Sequence, residues 1–124
     1  MPDPLKPHGW IASSKKDLLD LPGIVQRQIG FALYLAQKGG KHPDAKPLQG
    51  FGGAGVLEMV SDHNGDTFRA VYTVRFADIV YVLHCFQKKS TSGVRTARQD
   101  IDLIHERLRT AQTDYEVRYG EKED

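Results

Sequence analysis

Between Val56 and Gln87 three apolar runs rich in β-branched and aromatic residues follow one another with almost nothing between them, and this limits the fold more than any other feature. The runs are Val56 to Ser61, Thr67 to Phe76 and Ile79 to Gln87, each with strand composition. "DHNGDT" joins the first two and contains Asn-Gly, a strong hairpin signal, while "FADI" leaves only Ala77 and Asp78 to join the last two. A three-stranded antiparallel meander is the expected centre of the fold.

A two-residue turn at Ala77 and Asp78 sets Phe76 against Ile79, and every further pair follows: Arg69 faces Phe86, Val71 faces His84, and Arg75 faces Val80. One face then carries Phe68, Ala70, Tyr72, Val74, Phe76, Ile79, Tyr81, Leu83 and Cys85, nearly all apolar, and is the side that helices must cover. The other face carries Arg69, Val71, Thr73, Arg75, Val82, His84, Phe86 and Lys88, and is expected to be open. A four-residue loop, His63 to Asp66, puts Val60 opposite Arg69 and Glu58 opposite Val71. A slip of one residue would bury the Glu58 carboxylate among Ala70 and Tyr72, which is costly.

The remaining segments supply helices. "GWIASSKKDL" suggests a short strand near Trp10 to Ala12 and then a helix with Ser13 or Ser14 as N-cap and Asp17 in its first turn. Pro22 interrupts that helix. Val25, Ile29, Ala32, Leu33 and Ala36 then recur at spacings of three and four, which predicts an amphipathic helix to Lys38, stopped by Gly39 and Gly40. "KHPDAKPLQGFGGAG" reads as a glycine-rich connection; it lacks the Gly-Lys-Ser/Thr ending of a nucleotide-binding loop. Ala97, Ile101, Ile104, Leu108 and Ala111 predict a last helix from about Thr96 to Gln112, followed by an acidic tail over 113–124. The expected fold is α+β: a small antiparallel sheet of three to four strands packed on N-terminal helices and a C-terminal helix.

At 124 residues, with 40% hydrophobic and 27% charged residues, the chain fits one domain over 1–124. No apolar run approaches the roughly 18 to 20 residues of a membrane span, and "MPDPLKPHGW" lacks the charged and apolar regions of a signal peptide. The expected location is the cytoplasm, without a membrane partner. Cys85 is the single cysteine, inside an apolar run, and reads as a buried thiol. His8, His42, His63 and His105 show no metal-ligand spacing, so neither metal nor other cofactor is expected.

The formal net charge is +1, but it is unevenly spread. Residues 114–124 are acidic and the body is basic, with Lys88, Lys89, Arg95, Arg98, Arg107 and Arg109 clustered after the last strand. The sheet register brings Glu58, Arg69, His84, Phe86, Lys88 and Lys89 together on neighbouring strands, with Arg75, Ser90, Arg95 and Arg98 as further candidates for a phosphate footprint. Cleaving RNA through its 2′-OH needs a base at that hydroxyl, cations on the phosphorane and an acid at the 5′-oxygen. His84 or Glu58 could supply the base; Arg69 with Lys88 or Lys89, the cations. Phe86 offers a stacking platform for a base. Taken singly, an Arg and a Glu on a sheet face also make an ordinary cross-strand pair, and lysines at a strand end also guard an edge.

"KPLQGFGGAGVLEMV", "GDTFRAVYTVRFADIVYVLHCFQKKS" and "DIDLIHERL", in this order, resemble the RelE/ParE superfamily of bacterial toxins, in particular its HigB-like, phage-derived branch. The resemblance spans roughly residues 9–112. It rests on the Gly-Val-Leu-Glu strand, the Arg-Ala-Val-Tyr strand and His-x-Phe-x-Lys-Lys-Ser. It implies a RelE-like fold, metal-independent messenger-RNA cleavage at the ribosome, and a helix-turn-helix, HigA-like antitoxin as partner. Carried over by motif, Glu58, Arg69, His84, Lys88 and Lys89 would form the catalytic site, with Arg69 on the scissile phosphate. Some relatives carry a functional Tyr or His near a terminal strand end, whereas here a helix follows the lysines and Tyr115 and Tyr119 lie in the tail; which residue is acid and which base is left open. A ParE-like inhibitor of DNA gyrase, which needs no such cluster, is the alternative reading.

Overall fold

In the computed structural model, described for residues 5–53, 55–88 and 96–120, a five-stranded mixed sheet carries helices on both faces. The elements are β1 His8–Trp10, α1 Ser14–Leu19, α2 Gly23–Gln37, β2 Ala45–Pro47, β3 Val56–His63, β4 Asp66–Thr73, β5 Val80–Lys88 and α3 Arg98–Tyr119. The strand order is β1-β5-β4-β3-β2. The expected α+β architecture with N-terminal helices and a C-terminal helix is present. The sheet differs from the expected one: β1 adds a parallel edge to β5, and β2 adds an antiparallel edge to β3 from inside the glycine-rich connection.

The first hairpin has the expected pairing, Glu58 with Val71 and Val60 with Arg69. Its strands run further than expected, to His63 and Asp66, because Asn64 and Gly65 take φ of 52° and 82° and close a two-residue turn. The second hairpin is the main correction. Arg69 pairs with Phe86 and Val71 with His84 as expected, but Tyr72 then pairs with Val82 and Thr73 with Tyr81. Leu83 is the extra residue of a β-bulge. Ala77 and Asp78 form a turn as expected, but the pairs of Phe76 with Ile79 and of Arg75 with Val80 do not form across it. Val80 instead pairs with His8 and its amide donates to the Pro7 carbonyl, while the Val74 amide donates to Gly55.

One extra residue reverses the alternation along the rest of β5. Val80, Val82 and Cys85 join Phe68, Ala70 and Tyr72 under α1 and α2. Phe76, Ile79, Tyr81 and Leu83, expected on that side, lie instead with Val71, Ile104, Leu108 and Ala111 under α3. The face expected to be open is therefore covered along much of its length. Arg107 fastens this arrangement: its guanidinium donates to the bulge carbonyl of Leu83 at 2.9 Å and to Ser13 Oγ at 3.2 Å.

The helix pattern is followed closely. Val25, Ile29, Ala32, Leu33 and Ala36 are the buried positions of α2. The helix ends in paired backbone bonds, Gly39 N–H to Ala36 and Gly40 N–H to Leu35, with Gly39 at φ 88°. α3 continues past the expected Gln112 to Tyr119, because Tyr115 and Tyr119 pack on the sheet's second core cluster and Tyr115 Oη donates to Asp78 at 2.6 Å. Cys85 is buried, and burial pushes its thiol up to about 12. No helix among the described residues is long and apolar enough to cross a membrane.

Candidate functional site

Three strands and the root of α3 build one cleft. β2, β3 and β4 are neighbours, and on the α3 side of the sheet they present Lys46, then Glu58 and Val60, then Arg69. The cleft holds about 640 Å³ and is lined by these four residues with Pro47, Leu48, Gln49, Thr96 and Ile101. Leu48 and Gln49 form the wall beyond β2, and Thr96 with Ile101 closes the side where α3 begins.

Arg69 lies at the bottom, only 5% exposed. A buried guanidinium has to be paired, since it keeps its charge. Its Nη1 is 2.8 Å from Glu58 Oε1 and donates to Thr96 Oγ1 at 3.2 Å. The Thr96 hydroxyl in turn donates to Glu58 Oε2 at 2.6 Å. Both oxygens of Glu58 are thus engaged, and a carboxylate, a hydroxyl and a guanidinium form a closed ring in the cleft floor.

His84 and Phe86 lie beyond this ring on β5, the next strand. Their rings stack at 4.3 Å and 15°. His84 Nε2 is 2.9 Å from Asp100 Oδ1 on α3. Burial lowers the imidazole's proton affinity more than the hydrogen bond and charge of Asp100 raise it, so the ring is neutral at pH 7. Nε2–H then donates to Asp100, and Nδ1 carries a buried lone pair with no hydrogen-bond partner among the described residues. His84 does not line the cleft; α3 stands over it.

The other expected site residues divide. Lys88 ends β5 opposite Thr67, two cross-strand pairs beyond Arg69 and Phe86 and so on the same face. Lys89, Ser90 and Arg95 fall outside the described residues. Arg98 is exposed in the first turn of α3. Arg75 is not at the cleft: it follows the far end of β4 and stands over the Phe76 ring at 5.8 Å. Arg107, counted in the basic cluster, is committed to the β-bulge.

Lys46, Gln49, Thr96 and Ile101 line the cleft without having been expected there. The signal for Lys46 was faint, since a three-residue strand inside a Pro/Gly-rich stretch leaves no periodicity to read. No three His, Cys, Asp or Glu side chains converge among the described residues as a metal site would need.

No curated protein matches the chain. A family model does: that of the phage-derived protein Gp49-like family (DUF891), over residues 16–109, from α1 to the middle of α3 and so including β2 to β5 and the whole cleft. The chain belongs to the Gp49-like family of phage-derived proteins, a family of RelE/ParE-like toxins.

Proposed function

We propose that the protein is the toxin of a type II toxin–antitoxin pair of the HigB-like kind, an endoribonuclease that cleaves messenger RNA on the ribosome and so arrests translation in the cytoplasm. The observation that carries this reading is the buried Arg69 at the floor of a cleft, paired there with the carboxylate of Glu58. A guanidinium held by protein groups is already oriented before substrate arrives, which is how preorganised donors stabilise a transition state. The partner expected on this reading is a helix-turn-helix, HigA-like antitoxin.

In the reaction, an RNA phosphate oxygen takes the place of Glu58 on Arg69. Glu58, released beside the phosphate, is positioned to accept the proton of the 2′-OH. The O2′–P bond forms, the P–O5′ bond breaks, and the leaving 5′-oxygen takes a proton from solvent water while Glu58 returns its own to solvent, leaving a 2′,3′-cyclic phosphate and a 5′-hydroxyl. Arg69 carries the charge of the phosphorane, with Lys88 as the next cation along the strand. His84, neutral and tied to Asp100, supports the Phe86 ring by stacking. Of the groups that metal-independent RNA cleavage needs, Glu58 supplies the base on this reading, and Arg69 with Lys88 the cations.

Expression of wild type and Arg69→Ala in a translating extract tests the reading. Wild type should cut ribosome-bound transcripts and leave naked RNA intact, and Arg69→Ala should cut roughly 10² to 10³-fold more slowly. Urea unfolding of both proteins shows whether the variant is folded at the assay temperature. Equal cleavage by the two folded proteins would remove Arg69 from the site. Inhibition of DNA supercoiling by wild type with transcripts intact would replace the nuclease reading with the gyrase one.

A further inference from the structure

We infer that Lys46, on the edge strand β2, is a phosphate-binding residue of the cleft and fixes the path of single-stranded RNA across it; this rests on the RNA-cleaving reading above. Lys46 pairs directly with Glu58 across β2 and β3, on the face of the sheet that carries Arg69. Directly opposed side chains of an antiparallel pair start about 4.5 to 5.5 Å apart at Cβ. Even so, the lysine and the glutamate form no ion pair, because Glu58 gives one oxygen to Arg69 and the other to Thr96. Lys46 makes no hydrogen bond or ion pair among the described residues, and its side chain is exposed at the cleft rim.

The charges across three adjacent strands therefore run positive, negative, positive, with the negative one already neutralised from the Arg69 side. The surplus charge of these three side chains is the ammonium of Lys46 at the rim, with the guanidinium of Arg69 balanced by Glu58 at the floor. A polyanion that places one phosphate on Arg69 brings a neighbouring phosphate to Lys46. Pro47, next in the strand, lines the same cleft and fixes its own φ, so the chain around Lys46 is stiffened there. A lysine beside a proline also guards a sheet edge against pairing with another chain, but that duty predicts no effect on RNA affinity.

The test uses the full-length protein and a ten-residue single-stranded RNA with every 2′-hydroxyl methylated, which binds without being cut. Anisotropy titrations across a range of salt concentrations compare wild type, Lys46→Gln, Lys46→Arg and, as a control on the opposite side of the sheet, Lys15→Gln. A single-strand phosphate contact contributes about 0.7 to the slope of log K against log salt, which corresponds to an affinity change on the order of fivefold to tenfold at 50 mM salt. Lys46→Gln is expected to lose both; Lys46→Arg and Lys15→Gln should match wild type. Wild-type affinity and slope in Lys46→Gln overturn the inference, as does failure of the wild type to bind the oligonucleotide. The cleavage assay separates the two readings. Cleavage by wild type with unaltered binding by Lys46→Gln sinks the role of Lys46 alone, whereas a Lys46-dependent slope without any cleavage keeps the phosphate site and removes the nuclease.

Discussion

His84 shows how much a single side chain's surroundings decide. On an open sheet face it would titrate like a free imidazole and serve as a ready base. Covered by α3 it is 7% exposed, and burial lowers its pKa from the ordinary value near 6.5. The unfolded chain then binds more protons than the folded one below pH 6.5, so stability should fall as the pH drops through that value toward the folded pKa. His8 is shifted the same way by burial. The urea midpoint of wild type should therefore be lower at pH 5.5 than at pH 7.5. His84→Gln, which keeps a donor for Asp100, should flatten part of that dependence, and His8→Gln another part. A midpoint that rises on acidification would mean that Asp100, not burial, dominates His84. Most of the cluster was legible in the sequence at this scale. Glu58, Arg69, His84 and Phe86 were placed on one face by counting from the hairpins, and the first hairpin's register followed from the cost of burying a carboxylate. Thr96 was not legible, because a hydroxyl at the root of a helix acquires meaning only when the helix is docked.

The β-bulge at Leu83 is the element on which the sequence reading and the structure part. Nothing in "VYVLHCF" marks an extra residue, since every position is apolar or aromatic enough to suit either face. Alternation is informative only where one face is wet, and here both are dry. The bulge is stabilised from outside the strand, by a residue on α3 that local sequence does not connect to it. Arg107 donates to the Leu83 carbonyl and to the Ser13 hydroxyl, joining α3, β5 and the start of α1. Hydrogen bonds from a charged donor are worth about 1.5 to 3 kcal/mol, and a carbonyl left without a partner adds to the loss. Arg107→Met, which keeps most of the apolar stem, is expected to lower the unfolding free energy by about 2 kcal/mol. Equilibrium denaturation measures this directly. A change within about 0.5 kcal/mol would show that the bulge holds its geometry without the arginine.

At the scale of the molecule, α3 is the component that makes the sheet two-sided. It spans about 33 Å at 1.5 Å per residue and is pinned at both ends. At the cleft end, Asp100 binds His84, and Thr96, just before the helix, joins Glu58 and Arg69. At the far end Tyr115 binds Asp78, and the Tyr81 hydroxyl donates to Asp114 at 2.5 Å. Tyr81 is fully buried, and burial together with Asp114 pushes its proton loss well above the ordinary phenol range. The acidic residues counted as a tail thus include one that satisfies a core phenol, which composition alone does not reveal. Asp114→Ala strands that hydroxyl and should cost about 1 to 3 kcal/mol, whereas Tyr81→Phe removes donor and need together and should be close to neutral. Because both ends of α3 pack on one sheet, the Asp114→Ala loss should appear as a lower midpoint of a single transition with the urea m-value unchanged. RNA binding at the Arg69 cleft, measured per folded molecule, should be the same in both variants. If Asp114→Ala instead gives two transitions, the far end of α3 unfolds on its own, and the helix is not the rigid cover that holds the cleft floor in place.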